Sequence, residues 1–317
     1  MRKALFFLLS AVAGLAHAQS YPAKPIRIIV PFTAGSATDV VARLIGERLS
    51  AAWGQPVVVD NRPGAGGSIG IAQAAKADPD GYTLAVVSTG HAVNHVLYKD
   101  LPYDTLNDLS GVAPLASLPS VLVVAPSLGV SSVKELVAMV KAKPNQLNYG
   151  TAGVGSAAHI NSEKFNFAAG LRAVHIPLKG TPPILSETMG GRVHFAWVPS
   201  LSSMGLLKDG KLRALAVSTP RRIAALPDVP TIAQAGFPGG EFNFWLGMLA
   251  PSKTPRDTLA RLNGEIGRAL KSAEVIERLA KLGAEPMSMD PAEFDAFIRR
   301  EHEVLGKVMR DAGAKPQ

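Results

Sequence analysis

Short apolar runs alternate with helical patterns from residue 26 onward. The run 26–30 (Ile-Arg-Ile-Ile-Val) is rich in β-branched residues, and apolar positions spaced three and four apart follow it up to Leu49. Further runs of this kind lie at 56–60 and 83–88, with a helix-like stretch between them. Strands that alternate with helices at this spacing predict βαβ units and a parallel sheet.

A second block with the same alternation follows. Its strand-like runs lie at 121–125, 146–150, 173–177, 193–197 and 212–218. The chain then ends in helical patterns, the first of which begins at Thr254 and Pro255, a capping residue followed by proline at the first helical position. We therefore predict an α/β fold of two lobes, each a mostly parallel sheet flanked by helices. The predicted boundaries are 19–122 for lobe 1, 123–220 for lobe 2, and 221–317 for a return to lobe 1 with C-terminal helices.

The N-terminus has the three parts of a cleavable signal peptide. Two basic residues precede an apolar run over 4–15, and Ala-His-Ala at 16–18 follows with the small residues that signal peptidase accepts. The apolar run is shorter than the roughly 20 residues that a transmembrane helix needs. The sequence therefore predicts removal of residues 1–18 and a mature chain that begins at Gln19 in the periplasm.

Composition narrows the class of protein. The 317-residue chain has no cysteine, which excludes disulfides, thiolate metal sites and a lipid-modified N-terminal cysteine. Its net charge is +8, but the basic residues are spread along the chain and aromatic residues make up only 6%. A nucleic-acid-binding protein would show a concentrated basic stripe with interleaved aromatic residues. We therefore expect no nucleic-acid partner, and a basic exported protein suits small anions.

Two strand-to-helix turns share the core Thr-Ala-Gly. The first turn is PFTAGSATD over 31–39, and the second turn is YGTAGVGSAAH over 149–159. The start of a helix has unpaired N–H groups and a partial positive charge, and small residues let an anion approach that backbone closely. Because one such turn lies in each predicted lobe, we expect a carboxylate to be held between two opposed helix ends.

The two turns differ at the third helical position. Ser36 and Asp39 have the spacing of a capping box, so Asp39 is more readily a cap than a ligand contact, since its charge would repel an anion. In the second turn Ser156 precedes His159 with the same spacing. His159 could donate a hydrogen bond to an anion, or it could serve the structure alone.

Several ordered motifs resemble those of one family. Besides the two turns, the matching segments are 61–67 (NRPGAGG), 80–83 (DGYT), 101–104 (LPYD), 210–216 (GKLRALA) and 226–231 (LPDVPT). By these residues the chain resembles the Bug family, the extracytoplasmic substrate-binding receptors associated with tripartite tricarboxylate transporters, over essentially the whole mature protein. The resemblance implies a Venus-flytrap periplasmic binding protein without enzymatic activity or cofactor. We expect a monomer that closes on a small carboxylated molecule and acts with membrane transporter subunits.

The resemblance also implies the ligand-binding residues. In the family, the loops that correspond to 32–36 and 151–156 grip a carboxylate, partly through backbone N–H groups and ordered water. We expect the ligand to contact both turns, the end of the third predicted strand, and the strand near 197. The expected residues are Phe32, Thr33, Ala34, Gly35, Ser36, Asp39, Ser88, Thr89, Thr151, Ala152, Gly153, Gly155, Ser156, His159, Trp197 and Val198.

Departures from the family pattern concern the far end of the ligand. The family usually has a second glycine where Ser36 stands, often tyrosine where Leu178 stands, and commonly aspartate where His194 and Val198 stand. Loss of these acids disfavours an amino-acid ligand, because an ammonium group would lack a partner. Trp197 and Val198 would tolerate an apolar or aromatic body, and His194 could meet a second anion, unless these side chains pack inside the lobe.

Alternative functions remain open at this point. A component that presents ligand to a membrane histidine kinase would use the same cleft and differ only in its partner. An exported hydrolase built on Ser156 and His159 is disfavoured, because the G-x-S-x-G elbow is missing. A metal site at His91 and His95 is disfavoured, because no adjacent acid completes it.

Overall fold

The computed structural model describes residues 21–281 and 283–311. The predicted signal peptide and its cleavage site therefore lie outside the described residues. Within them, two β-sheets are flanked by helices, and each sheet has its own apolar core.

The first sheet has six strands. Their bounds are β1 Ile26–Val30, β2 Val57–Asn61, β3 Thr83–Ser88, β4 Leu109–Leu118, β10 Phe244–Pro251 and β11 Glu285–Pro286. Across the sheet they lie in the order β11-β4-β10-β3-β1-β2. β1 is parallel to β2 and β3, whereas β10 is antiparallel to both β3 and β4, and β11 is antiparallel to β4.

The second sheet has five strands. Their bounds are β5 Ser120–Val124, β6 Asn148–Thr151, β7 Val174–Pro177, β8 Phe195–Pro199 and β9 Arg213–Val217, and their order is β7-β6-β8-β5-β9. β6 is parallel to β7 and β8, and β5 is antiparallel to β8 and β9. The two predicted α/β lobes are confirmed, but both sheets are mixed rather than mostly parallel. The antiparallel strands β5 and β10 each enter a sheet from the other lobe, so no helical crossover fixes their direction.

Ten α-helices lie within the described residues. Their bounds are α1 Ala37–Trp53, α2 Ser68–Ala75, α3 Asn94–Leu97, α4 Val133–Ala142, α5 Ala157–Ala169, α6 Thr181–Met189, α7 Ser200–Lys208, α8 Arg256–Lys271, α9 Ala273–Lys281 and α10 Pro291–Asp311. None of these helices combines the length and apolar character needed to cross a bilayer. A 3₁₀ turn over Thr89–Val93 extends β3 toward α3.

Alternation along β8 assigns its side chains to opposite faces of the second sheet. Phe195 and Trp197 pack in the cluster beneath α4 and α5, whereas Ala196 and Val198 pack in the cluster on the other face. This is the two-residue period of a strand. Trp197 and Val198 therefore cannot both face the same ligand.

The two lobes touch across the cleft. Thr33 N–H donates to the Lys179 carbonyl at 3.3 Å, and the Tyr98 hydroxyl donates to the Val154 carbonyl at 2.7 Å. Facing backbones also approach closely at Gly90, where a Cβ atom would lie 2.3 Å from the Gly155 carbonyl oxygen. The structure therefore has its lobes closed on each other.

Candidate functional site

A cavity lies between the lobes, at the carboxyl ends of β1, β3, β6 and β8. The lining residues are Phe32, Ser36, Ala37, Thr38, Ser88, Ser120, Ala152, Ser156, Ala157, Ala158, Thr181, Trp197, Pro199 and Phe244. Ligands of open α/β sheets bind at such strand ends. This cavity is the candidate site.

The first turn forms the serine half of the predicted capping box, but the Asp39 carboxylate reaches the N–H of Gly35 instead of that of Ser36, which donates to the Thr33 carbonyl. The Ser36 hydroxyl accepts the Asp39 N–H at 3.4 Å, and the Asp39 carboxylate accepts the Gly35 N–H at 2.9 Å. The carboxylate also accepts hydrogen bonds from Arg43 and Asn61. Desolvation acts to raise the pKa of Asp39, but hydrogen bonds from Arg43, Gly35 and Asn61 together lower it. Asp39 is therefore a fully engaged anion that shapes the turn, and it does not line the cavity.

The second turn repeats this arrangement with an imidazole in place of the carboxylate. The Ser156 hydroxyl accepts the His159 N–H at 3.3 Å, and His159 Nδ1 accepts the Gly155 N–H at 3.3 Å. Burial lowers the pKa of His159 to about 4, and its ring stacks on His175 with centroids 4.6 Å apart. His159 therefore acts as a neutral cap inside the lobe, and the structure does not bring it to the cavity to meet an anion.

These caps determine which backbone donors are free. The N–H groups of Gly35 and Asp39 donate within the first turn, and those of Gly155 and His159 donate within the second turn. The first two helical residues remain, Ala37 and Thr38 of α1 and Ala157 and Ala158 of α5. Their N–H groups donate to no other residue within 21–281 and 283–311. Because all four line the cavity, two helix N-termini offer their free N–H groups to one space.

The cavity brings together six of the sixteen predicted residues. They are Phe32, Ser36, Ser88, Ala152, Ser156 and Trp197. The other ten are not among its lining residues: Thr33, Ala34, Gly35, Asp39, Thr89, Thr151, Gly153, Gly155, His159 and Val198.

Several of these ten residues stabilise the backbone around the site. Thr89 Oγ1 accepts the Trp245 N–H at 2.8 Å and so ties β10 to β3. Thr151 Oγ1 accepts the Gly153 N–H at 3.2 Å and fixes the start of the second turn. Val198 packs on the far face of the second sheet. These side chains act on the cavity through the backbone that they position.

Sequence reasoning missed eight lining residues. Four are the first two residues of α1 and α5, which counting forward from the serine caps could have found. The others are Ser120, Thr181, Pro199 and Phe244. Ser120 and Phe244 begin the strands that enter each sheet from the other lobe, and no local pattern marks them as neighbours.

Trp197 has a feature of its own in the cavity wall. Its side chain is fully buried and packs edge-on against Phe165, with ring centroids 5.9 Å apart. Its Nε1–H has no hydrogen-bond partner among the residues that the structure describes. Leaving a buried donor unpaired costs roughly 1–3 kcal/mol, a penalty that an acceptor within reach of Nε1 would relieve.

The remaining candidates have other surroundings. His194 Nδ1 accepts the Asn148 N–H at 2.9 Å, and His194 is not a lining residue, so the expectation of a second anion there has no support. The Ser156 hydroxyl bonds the backbone of His159 rather than its ring, which is a cap and not a nucleophile–base pair. His95 stacks on His302 of α10, with ring centroids 3.5 Å apart.

The chain is similar in sequence to one receptor family and to individual proteins. The family model for the tripartite tricarboxylate transporter family receptor matches residues 41–314. The protein BugT of Bordetella pertussis is 37% identical over 313 residues, covering 98% of this chain and 96% of BugT. A protein from the ttuE-ttuC' intergenic region of Agrobacterium vitis is 37% identical over 98% of this chain and 91% of its own length.

Solved structures share the fold. The periplasmic binding protein BugD has a TM-score of 0.90 and 31% identity, covering 94% of this chain and all of BugD. Rpa4515 of R. palustris, solved with adipate, has a TM-score of 0.91 and 36% identity over 94% of this chain and 100% of its own. MatC of Rhodopseudomonas palustris, solved with malate, has a TM-score of 0.87 and 31% identity over 91% of this chain and 99% of its own.

These matches confirm the two-lobed periplasmic binding protein fold, and the proteins that carry it here are solute-binding proteins rather than enzymes. They also confirm the resemblance to the Bug family. The chain belongs to the tripartite tricarboxylate transporter family of periplasmic receptors.

Proposed function

We propose that this protein binds a small carboxylate between its lobes in the periplasm and presents it to a tripartite tricarboxylate-type membrane transporter. One observation carries the proposal. Two serine-capped helix N-termini, one from each lobe, leave the N–H groups of their first two residues free in a single cavity. Such helix ends are ready-made anion sites.

The caps prepare the site before the ligand arrives. Asp39 and His159 take up the glycine N–H groups and hold each turn open, so the helix ends keep their geometry without ligand. The hydroxyls of Ser36 and Ser156 lie in the cavity wall beside the free N–H groups. A carboxylate placed there would receive charge-assisted hydrogen bonds, which are the strong ones.

Closure follows from contacts with both lobes. In this proposal lobe 1, residues 19–122 and 221–317, binds the carboxylate first through the turn at 32–36. Lobe 2, residues 123–220, then closes and adds the N–H groups of Ala157 and Ala158. A ligand can favour the closed state only through contacts that it makes in that state, and these are such contacts.

The relatives support the chemical class. Adipate in Rpa4515 and malate in MatC are both carboxylates, held by proteins that share this fold at more than 30% identity. A thermal-shift screen of the mature protein against aliphatic and aromatic carboxylates would identify candidates, because a ligand that binds only the native state raises its apparent stability.

Ser156→Asp tests the carboxylate site directly. Aspartate is a good N-cap, so α5 keeps its start, but the new charge faces the place of the carboxylate. We expect at least a tenfold loss of affinity by calorimetry. Ser132→Asp is the matched control, because Ser132 caps α4 in the same way and lies outside the cavity. Undiminished binding by Ser156→Asp would refute the site.

The transporter partner needs a separate test in cells. Deletion of the gene should abolish uptake of the ligand found in the screen. Intact uptake with loss of ligand-induced transcription would instead indicate a receptor that presents its ligand to a sensor kinase.

A further inference from the structure

The second turn is longer and richer in glycine than the first. Its serine cap follows the threonine of the Thr-Ala-Gly core by five positions, against three in the first turn. Between them lie Gly153 and Gly155, both in the left-handed region of backbone angles, with φ of +106° and +78°. Glycine loses more conformational freedom on folding than any other residue, so this turn depends on bonds that hold its two glycines in place.

Each of these glycines is held by an imidazole. His159 Nδ1 accepts the Gly155 N–H directly, at 3.3 Å. The Gly153 N–H donates to Thr151 Oγ1 at 3.2 Å, and the same oxygen atom is bonded to His175 Nε2 at 2.6 Å. His175 therefore acts on the turn through one intervening hydroxyl group.

The bond between His175 and Thr151 fixes the rotamer of the threonine. Thr151 is fully buried at the end of β6, and His175 is partly buried on β7, the edge strand that pairs with β6. In one tautomer of the ring Nε2 accepts the hydroxyl proton, and in the other Nε2 donates to Oγ1. In both tautomers Oγ1 stays in place to accept the Gly153 N–H. Burial and the neighbouring His159 lower the pKa of His175 to about 4, so the ring is neutral at pH 7.

The His175 ring is itself held by contacts within lobe 2. It stacks on Tyr149 with ring centroids 5.0 Å apart and on His159 with ring centroids 4.6 Å apart. The Tyr149 hydroxyl in turn donates to the Glu163 carboxylate at 2.5 Å. These contacts join β6, β7 and α5 around His175, so the position of its ring does not depend on lobe 1 or on a ligand.

The first turn is supported differently. The Gly35 N–H donates directly to the Asp39 carboxylate, without an intervening hydroxyl. Thr33 Oγ1 is buried and has no hydrogen-bond partner within residues 21–281 and 283–311. The Thr33 N–H donates to the Lys179 carbonyl of the other lobe. The support by a histidine and a threonine is therefore specific to the second turn.

Building on the proposed function, we infer that His175 is a positioning residue for the lobe 2 half of the carboxylate site. It does not line the cavity, so it acts through Thr151 rather than on the ligand. Thr151 fixes Gly153, whose carbonyl accepts the Ser156 N–H at 3.1 Å. This chain of contacts sets the start of α5, whose free N–H groups face the cavity.

Paired variants test this chain of contacts. Thr151→Val keeps a β-branched side chain of similar size but removes the hydroxyl, and His175→Phe keeps a ring for stacking but removes Nε2. The probe is whichever of adipate, malate and benzoate binds the wild type most tightly in calorimetry at pH 7. We expect each variant to bind it about 3- to 10-fold more weakly. Because both variants remove the same support, the double variant should bind no more weakly than either single one. Thr151→Ser and His175→Gln, which retain polar atoms at these places, should restore most of the affinity.

Amide exchange provides a measurement that needs no ligand. By NMR, the Gly153 N–H should exchange about 3- to 10-fold faster in Thr151→Val and in His175→Phe, and to the same extent in both. His194→Phe is the matched control, because His194 Nδ1 accepts the Asn148 N–H at the other end of β6 and His194 lies outside the cavity. This control should change neither the exchange of Gly153 nor the affinity.

The outcomes separate this inference from the proposed function. Wild-type affinity in His175→Phe, an equal loss in His194→Phe, or losses that multiply in the double variant would overturn the role of His175 and leave the carboxylate receptor standing. If none of the three carboxylates binds the folded wild type, the proposed function fails. Exchange of the Gly153 N–H then decides by itself whether His175 holds the turn, and an unchanged rate in His175→Phe would refute it.

Discussion

A methyl group added at Gly90 should prevent closure without disturbing either lobe. Gly90 lies in the 3₁₀ turn that follows β3, and the atoms nearest to its missing side chain all belong to the other lobe. A Cβ atom there would lie 2.3 Å from the Gly155 carbonyl oxygen and 3.1 Å from the Ala157 nitrogen. Gly90 is outside the left-handed region of backbone angles, so alanine can adopt its conformation.

The size of the effect follows from the overlap. Non-bonded heavy atoms are most stable about 3.5 Å apart, so Gly90→Ala requires the turns to separate by about 1 Å. A carboxylate between the helix ends would then lose one or more charge-assisted hydrogen bonds, each worth about 1.5–3 kcal/mol. We expect affinity to fall roughly 10- to 100-fold. The free energy of unfolding of the ligand-free protein should change by less than about 1 kcal/mol, because the open protein has no clash.

The assay pairs calorimetry with small-angle X-ray scattering. Ligand should shrink the radius of gyration of the wild type but not that of Gly90→Ala. Gly205→Ala is the control, because no atom lies within 4 Å of its built Cβ and its backbone is helical. If Gly90→Ala binds within threefold of the wild type and compacts on binding, the ligand-bound protein does not have the close contact between Gly90 and Gly155, and the reasoning fails.

Three further predictions concern single groups. Trp197→Phe keeps a ring but removes the unpaired Nε1–H, so calorimetry should show a 5- to 20-fold loss of affinity, about 1–2 kcal/mol, where the ligand accepts from this donor; unchanged affinity would mean that the ligand does not use it. Because Trp197 is fully buried, the smaller ring should also lower the melting temperature. Tyr98→Phe removes the hydrogen bond to the Val154 carbonyl across the cleft and should weaken binding about 2- to 12-fold, whereas a large loss of ligand-free stability would assign Tyr98 to folding instead. Because the pKa of His159 is lowered to about 4, the unfolded chain binds a proton that the folded protein excludes. The contribution of His159 to the free energy of unfolding is therefore full above about pH 6.5 and is lost as the pH falls toward 4, by up to about 1.4 kcal/mol per pH unit. Between these pH values the free energy of unfolding of His159→Asn, measured by denaturation, should decline less steeply than that of the wild type, and an identical slope would contradict the assignment.

Local elements were predictable because their causes are local. The apolar runs predicted at 26–30 and 83–88 coincide with β1 and β3. Both serine caps lie where the spacing of the turns places them, and Asp39 is the cap that the sequence favoured. A capping bond joins residues three apart, so its formation depends on neighbours along the chain rather than on the rest of the fold.

Arrangements that depend on distant residues were not predictable in this way. A strand pattern does not state its direction, and the antiparallel entry of β5 and β10 made both sheets mixed. The sequence pattern around residue 197 also did not show which of Trp197 and Val198 lines the cavity, because these two side chains lie on opposite faces of one sheet. The sequence suggested that His159 could donate a hydrogen bond to an anion. In the structure its ring is buried against His175 and accepts a hydrogen bond as a neutral group.

The sequence by itself determined two capped helix starts, their small-residue turns and the family to which the chain belongs. Only the tertiary structure decided that these starts share one cavity, that Ser120 and Phe244 help to line it, and that its wall is uncharged. The reason is physical: capping and strand formation are set by contacts a few residues apart, whereas the composition of a cleft is set by which distant segments the two sheets bring together.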